Sequence, residues 1–182
     1  MSERSVFRLY WSAYGGWKAL YKSLYLRFSL ALTAVMYPTW SNPNWWSDVL
    51  NITPNLLGFS LGGFAMWLAL GDEGFKSLIA GKSDTSDTSP YMAINAAFVH
   101  FIIIQIIAIL LALACKNFYV PIEESSFLFQ YLYIISSVSV FIYAISYFFF
   151  IYAVVSALAA TFALLRGANW YDMDQTEKNS KK

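Results

Sequence analysis

Cysteine and histidine are almost absent from this sequence of 182 residues, which has one of each, Cys115 and His100. Structural zinc, iron–sulfur and haem–thiolate sites need clusters of such ligands, so we predict no metal site and no cofactor. A lone cysteine also excludes a disulfide within the chain. The sequence contains no glycine-rich phosphate loop, nucleophile elbow or metal-binding helix motif, and we therefore expect the protein not to be an enzyme.

Charged residues are also scarce, at 13% of the sequence, whereas apolar residues make up 58% and aromatic residues 19%. This composition is too apolar and too uniform for a soluble domain, and it predicts an integral membrane protein. The net charge of +1 gives no basis for direct binding to nucleic acid. No Asp or Glu falls within a predicted span, which argues against a proton- or cation-coupled transporter.

The stretch from Phe127 to Leu165 contains no charged residue, and it also lacks His, Gly and Pro. A run of 18 or more apolar residues is typical of a membrane-spanning helix. Two spans would need a turn between Phe141 and Phe150, yet FIYAISYFFF contains no Gly, Pro, Asn or Asp to form one. We therefore predict one long helix that projects beyond the membrane, with a tight hairpin as the alternative.

The remaining apolar stretches predict three further spans, over residues 23–40, 55–71 and 92–115. Residues 72–91 are predicted to be a cytoplasmic linker containing a short surface helix whose Phe75, Leu78 and Ile79 face lipid. Residues 167–182 are predicted to form a polar, frayed tail. The expected fold is all-α, a polytopic membrane protein with a four-helix transmembrane bundle over residues 23–166. Its long first and last helices are expected to project into the cytoplasm.

The positions of the basic residues predict the orientation. Four spans place all but one of the 12 Lys and Arg residues on the same side, the exception being Lys116. The positive-inside rule assigns that side to the cytoplasm. We therefore expect a multi-pass protein of the bacterial inner membrane with both termini in the cytoplasm.

Residues 1–22 combine basic and aromatic side chains in a helical pattern. At about 100° per residue, the basic side chains fall within one arc and the aromatic ones within another. The basic residues are Arg4, Arg8, Lys18 and Lys22, and the aromatic residues are Tyr10, Tyr14, Trp17 and Tyr21. This layout is typical of a helix lying on an anionic membrane leaflet. A hinge at Gly15 and Gly16, or an irregular segment anchored by its aromatic side chains, is the alternative.

Small residues recur at helical spacing in two of the predicted spans. Those of the second span are Gly58, Gly62, Ala65 and Ala69, and those of the last are Ser139, Ser146, Ala153 and Ala160. Such spacing lets a neighbouring helix approach closely. We expect helix-packing or oligomer seams here, formed either with a second copy of the chain or within one chain.

His100 is the one ionisable side chain well inside the cleaner predicted spans. This position makes it a candidate for a protonation switch or a polar gate. The alternative is a neutral histidine that is hydrogen-bonded to a neighbouring helix.

Residues 54–75 read PNLLGFSLGGFAMWLALGDEGF, and a polar linker and two more spans follow them. This arrangement resembles small four-span membrane proteins of bacterial anti-phage systems. Examples are the membrane subunit of Kiwa-type systems and the membrane effectors that accompany retrons and nucleotide-signalling defence operons. The resemblance implies an inner-membrane protein that senses infection at the envelope or depolarises the membrane, and it includes no catalytic motif.

Three functions are compatible with these features. The first is an oligomeric membrane sensor or anchor in anti-phage defence that recruits a cytoplasmic protein partner. The second is a pore-forming or membrane-depolarising effector, and the third is a non-catalytic scaffold subunit. The expected partners are the lipid bilayer, further copies of the chain and a cytoplasmic protein.

Overall fold

The structure, a computed structural model, describes residues 3–69, 73–81 and 88–180, except for the side chains of Arg4 and Leu78. In these ranges all regular structure is helical, which confirms the all-α prediction. The helices are α1 (Glu3–Tyr14), α2 (Gly16–Lys22), α3 (Leu24–Val35), α4 (Tyr37–Trp40), α5 (Trp46–Ala69), α6 (Glu73–Ile79), α7 (Pro90–Phe118) and α8 (Leu132–Ser180), with a 3₁₀ turn at Phe127–Tyr131.

Three helical segments are long and apolar enough to cross a membrane: α5, α7, and α8 together with the 3₁₀ turn before it. They support the prediction of a membrane protein. The segment predicted as the first span consists of α3 and α4. Helix α3 has 12 residues and is about 18 Å long, whereas the hydrocarbon core is about 30 Å thick.

The prediction of a long first helix is wrong, because the chain is interrupted between α1 and α2 and again at Ser23 and Met36. Gly15 and Gly16 have φ angles of 97° and 62°, which only glycine adopts without strain, so α1 ends there. Ser23 is extended, with a ψ angle of 123°. Pro38 lies in the first turn of α4 and has no amide hydrogen to continue the bonding of α3.

Helix α5 begins at Trp46, well before the predicted start at residue 55. The residues before position 55 include several that favour turns, but Trp45, Trp46 and Val49 are buried, and this packing favours an earlier start of the helix. The rings of both tryptophans lie 5.8 Å from that of Tyr143 in α8. Pro54 is accommodated inside α5 although it cannot donate a backbone hydrogen bond.

Helix α8 is continuous over 49 residues, so the long apolar stretch forms one helix and not a hairpin. The prediction of a frayed tail is wrong for the residues up to Ser180, which belong to α8. Two contacts hold this end: the Lys178 ammonium lies 2.7 Å from the Asp174 carboxylate, and the ring of Tyr171 packs edge-on against Phe75. The predicted tail residues Lys181 and Lys182 lie outside the described residues.

The predicted linker contains the short helix, α6, but its Phe75 and Ile79 side chains do not lie on an exposed face. Phe75 and Ile79 are buried within the chain, which corrects that prediction. Residues 82–87, the centre of the predicted linker, lie outside the described residues. Helix α7 then starts at Pro90, and the Ser89 hydroxyl accepts a hydrogen bond from the Met92 amide, as is typical of a helix N-terminus.

The chain forms two compact units, each built from segments that are distant in sequence. The first unit comprises the described residues of Met1–Leu24, Gly58–Ile103 and Ser156–Lys182. The second unit comprises Tyr25–Leu57 and Ile104–Val155. The chain therefore passes between the two units four times, and both of its ends belong to the first unit.

Candidate functional site

His100 is buried in the first unit, where two tyrosines of α1 contact it. The Tyr10 hydroxyl oxygen lies 2.7 Å from Nδ1 of His100. The Tyr14 ring is stacked on the imidazole, with a centroid separation of 4.0 Å and an interplanar angle of 20°. The structure thus places the predicted switch residue in a hydrogen-bonded aromatic cluster that joins α1 to α7.

The Tyr10 hydroxyl remains protonated at neutral pH. Burial, followed by the effect of neighbouring Tyr14, raises the pKa of Tyr10 to about 12. A protonated phenol can donate to an imidazole nitrogen, and this assignment places the proton of a neutral His100 ring on Nε2. The cluster therefore joins the two helices through a short hydrogen bond without requiring a charge.

The basic residues predicted for the membrane surface do not share one continuous helical face. Arg8 lies in α1 and is exposed, whereas Lys18 and Lys22 lie in α2 and are exposed there. Arg4 begins the same pattern, but its side chain lies outside what the structure describes. Because the positive φ angles at Gly15 and Gly16 reset the helical register, the hinge alternative describes this segment, and a single amphipathic helix does not.

The aromatic residues on the two sides of this break differ in burial, although the Trp11 ring contacts both Tyr14 and Trp17, at centroid separations of 6.1 and 5.0 Å. Tyr10 and Tyr14 are half-buried and turn towards His100. Trp17 and Tyr21 are 62% and 65% exposed, and their rings stack on each other with a centroid separation of 6.0 Å. Tyr10 and Tyr14 thus connect α1 to α7, whereas Trp17 and Tyr21 lie on the exposed side of α2.

The small-residue seam of α5 is not covered within one chain. Gly58, Gly62, Ala65 and Ala69 are all exposed. A Cβ atom built on Gly58 or Gly62 would meet no other heavy atom within 4 Å. Among the described residues nothing covers these two glycines, which favours a seam with a second copy over packing within one chain.

The small-residue seam of α8, in contrast, is largely covered within one chain. Ser146, Ala153 and Ala160 are buried and Ser139 is half-buried, all within one chain. The Ser146 hydroxyl donates to the Ile142 carbonyl at 2.8 Å and lies 3.4 Å from the Cys115 sulfur. These small residues let α7 pack closely against α8 inside the chain.

A second polar cluster of the first unit was not predicted. The indole nitrogen of Trp67 in α5 donates to the side-chain oxygen of Asn95 in α7 at 2.9 Å. The same indole covers Gly167 of α8, where an added Cβ would lie only 2.7 Å from a ring carbon. Gly167 is thus the point where three helices come together, although its sequence position appeared to belong to a polar tail.

The second unit contains a cleft of about 560 Å³ beside the loop that follows α7. The side chains that line it are apolar apart from the hydroxyls of Ser41, Tyr119, Ser136, Ser139 and Tyr143 and the thiol of Cys115. In the part of the chain that the structure describes, no three His, Cys, Asp or Glu side chains converge on one point. The cleft itself offers no charged group.

The anti-phage resemblance concerns residues 54–75, which form part of α5, the described start of α6 and an intervening stretch outside the described residues. The resemblance stays a prediction, because no protein-family model, curated protein or solved structure matches this chain.

Proposed function

We propose that this protein is a non-enzymatic, four-pass sensor or anchor of the bacterial inner membrane whose amino-terminal segment is coupled to the third span. The observation that carries this proposal is the contact of Tyr10 and Tyr14 with His100. It joins a segment with exposed basic and aromatic side chains to a residue buried in a membrane-spanning helix. A change at the membrane surface can therefore be transmitted to the helix bundle through α1.

The distribution of the basic residues supports four passes with both ends in the cytoplasm. With four passes, Lys116 is the only basic residue outside. With three, the 12 basic residues divide equally between the two sides, which the positive-inside rule disfavours. In this arrangement α3 and α4 form the first pass, and the end of α8 projects into the cytoplasm.

We also propose that the chain forms an oligomer through the small-residue seam of α5. The glycines of α5 weaken the helix and expose backbone, and no described residue packs on them. Around them, Phe59 is 81% exposed and Met66 is 66% exposed. A second copy of the chain, approaching on this face, gains the close backbone contact that small residues permit in a membrane.

Native mass spectrometry of the protein in nanodiscs tests this oligomer. We expect the wild-type protein to give one discrete oligomer and the Gly62→Leu variant to give mainly monomer. Gly63→Leu is the matched control, since Gly63 is equally free of neighbours within 4 Å but points about 100° away from the seam. A monomeric wild-type protein, or equal effects of the two variants, would remove the α5 seam from the proposal.

The same preparation tests partner recruitment when genomic neighbours are co-expressed. We expect a soluble cytoplasmic protein to be retained and to be lost when residues 82–87 are deleted, with the oligomer unchanged. Retention that is unaffected by this deletion would contradict recruitment through the linker. Loss of membrane potential on induction, measured with a potential-sensitive dye, would favour the depolarising effector instead. The role in anti-phage defence remains part of the proposal and is tested by the survival of infected cells with and without the gene.

A further inference from the structure

The first turns of α8 extend past the neighbouring helices of the second unit. Helix α5 begins at Trp46, and α7 ends one residue before Tyr119. The ring of Trp46 lies 5.4 Å from that of Tyr119 and 5.8 Å from that of Tyr143 in α8. Helix α8, however, begins at Leu132, about 16 Å before Tyr143 along the helix axis. The part of α8 before Tyr143 therefore lies beyond the end of α7 and the start of α5.

The charges of the second unit indicate where a membrane would end. Asp48 lies in the first turn of α5 and Lys116 in the last turn of α7, and both side chains are exposed. Exposed charges at helix ends belong in the headgroup region or in water. From Tyr143 to Leu165, α8 is uncharged over about 33 Å, which is sufficient for a hydrocarbon core about 30 Å thick. The first turns of α8 are therefore not needed to cross the membrane.

These first turns are apolar although they lie beyond that level. Residues 127–142 contain no charged side chain, and none of them is buried. Phe141 is 66% exposed, Ile134 is 60% exposed and Val138 is 52% exposed. An exposed apolar surface of this extent outside the membrane marks a contact with another molecule.

Four exposed side chains form a line along α8, which we call the apolar stripe: Ile134, Val138, Phe141 and Ile145. Their spacings of four, three and four residues average 3.5 residues. This is the period of helices that pair in a left-handed coiled coil. Ser136, which lines the cleft of the second unit, lies on the opposite side of the helix. The apolar stripe thus faces away from the rest of its unit.

A second copy of the chain presents a matching surface. Two copies inserted in the same direction pair in parallel around a two-fold axis, and each stripe residue then faces its own counterpart. Like charges would meet in such a pair, but the apolar stripe contains no charge. Phe127 and Tyr131 continue the spacing into the 3₁₀ turn and are exposed. With them, a pair buries roughly 1,200 Å², the lower end of the range for a specific interface.

We propose that the apolar stripe docks on the apolar stripe of a second copy, in a parallel coiled coil that begins outside the membrane and continues into it. The proposal rests on the membrane-spanning helices of the proposed function. It depends neither on the α5 seam nor on which side of the membrane the start of α8 faces. Because the buried area is small, the pair is expected to form at the high protein concentration of a membrane and to separate on extraction.

Disulfide cross-linking in isolated membranes, before any detergent is added, tests this pairing. Single cysteines in a Cys115→Ala background are oxidised with copper phenanthroline, and the chains are separated by non-reducing gel electrophoresis. We expect about tenfold more covalent dimer for Val138→Cys and Phe141→Cys than for Tyr133→Cys, because pairing holds the stripe thiols at a high effective concentration. Tyr133 is the matched control, since it is 85% exposed but lies about 100° around the helix from Ile134.

A charge in the apolar stripe separates pairing from random collision. Val138→Lys places two ammonium groups opposite each other, so it should abolish the dimer measured with Phe141→Cys. Tyr133→Lys adds the same charge outside the stripe and should leave that dimer unchanged. Resistance to carbonate extraction verifies insertion, and Ile134→Lys replaces Val138→Lys if the latter is not inserted. The Val138→Cys dimer should persist in the Gly62→Leu variant, which disrupts the α5 seam.

Three results would overturn the proposal: equal cross-linking at Val138 and Tyr133, an undiminished dimer in an inserted Val138→Lys variant, or a dimer that is lost in Gly62→Leu. Absence of a Val138→Cys dimer would overturn it as well. Labelling with a maleimide then identifies what covers the stripe, since lipid shields the thiol and water does not. A Val138→Cys dimer that persists while Gly62→Leu leaves the native oligomer unchanged would remove only the α5 seam of the proposed function.

Discussion

Replacing Gly167 by alanine is expected to destabilise the protein by about 1–3 kcal/mol, the range for overpacking a close contact. The added Cβ would lie 2.7 and 2.8 Å from two ring carbons of Trp67 and 3.2 Å from the end of Ile94. Trp67 cannot move away without breaking its 2.9 Å hydrogen bond to Asn95. Thermal denaturation in detergent, followed by circular dichroism, should show a lowered midpoint.

Gly63→Ala is the matched control for this substitution. An added Cβ meets nothing within 4 Å at Gly63, and alanine is the better helix former, so no loss of stability is expected. Truncation of the ring in Trp67→Leu should make the effect of Gly167→Ala smaller, as a double-mutant cycle would show. Equal denaturation midpoints for Gly167→Ala and Gly63→Ala would contradict the three-helix contact at Gly167.

Replacing His100 by leucine is expected to free α1 from the bundle. The substitution removes the hydrogen bond to Tyr10 and the stacked contact with Tyr14, each of which contributes about 1 kcal/mol. Leucine is apolar and suits a membrane-spanning helix, so α7 should remain intact. Hydrogen exchange of the α1 amides should accelerate by about 30-fold, since about 2 kcal/mol of docking free energy is lost.

Tyr10→Phe is expected to accelerate hydrogen exchange in α1 less than His100→Leu does. It keeps the ring and removes only the hydroxyl, so exchange in α1 should accelerate by about fivefold. Tyr133→Phe is the control, because Tyr133 is 85% exposed in α8 and removal of its hydroxyl should leave α1 unchanged. Exchange in α1 that is the same in wild type and His100→Leu would contradict coupling through this histidine.

Composition and local pattern were sufficient to predict the three helical segments that are long and apolar enough to cross a membrane. The absence of Gly, Pro, Asn and Asp between Phe127 and Leu165 predicted one helix, and α8 is one helix. The start of α5 was missed, because the burial of Trp45 and Trp46 against Tyr143 outweighs the turn signal, and burial depends on residues about 100 positions away.

The site was predicted only in part, for a related reason. His100 was identified from its position within a span, but its partner Tyr10 is 90 residues away in sequence and no local pattern links them. Gly167 follows Arg166, the first charged residue after the apolar stretch, and was therefore assigned to the polar tail. In the structure, the Trp67 ring packs on it. Both small-residue seams follow a helical spacing, yet only that of α8 is largely buried, because what covers a helix face depends on the fold.

Cysteine accessibility across the membrane tests the four-pass arrangement most directly. In a Cys115→Ala background, single cysteines are introduced one at a time at exposed positions of five segments. These variants are Ser12→Cys, Asn42→Cys, Ser77→Cys, Ser125→Cys and Ser180→Cys. Each is exposed to a membrane-impermeant maleimide in intact spheroplasts and again after permeabilisation.

We expect the Asn42→Cys and Ser125→Cys variants to be labelled in intact spheroplasts and the other three only after permeabilisation. That result places α1, α6 and the end of α8 together in the cytoplasm, where the amino-terminal segment meets the inner leaflet. Labelling of Ser12→Cys in intact spheroplasts, with Ser77→Cys and Ser180→Cys still protected, would show three passes and would contradict the proposed arrangement.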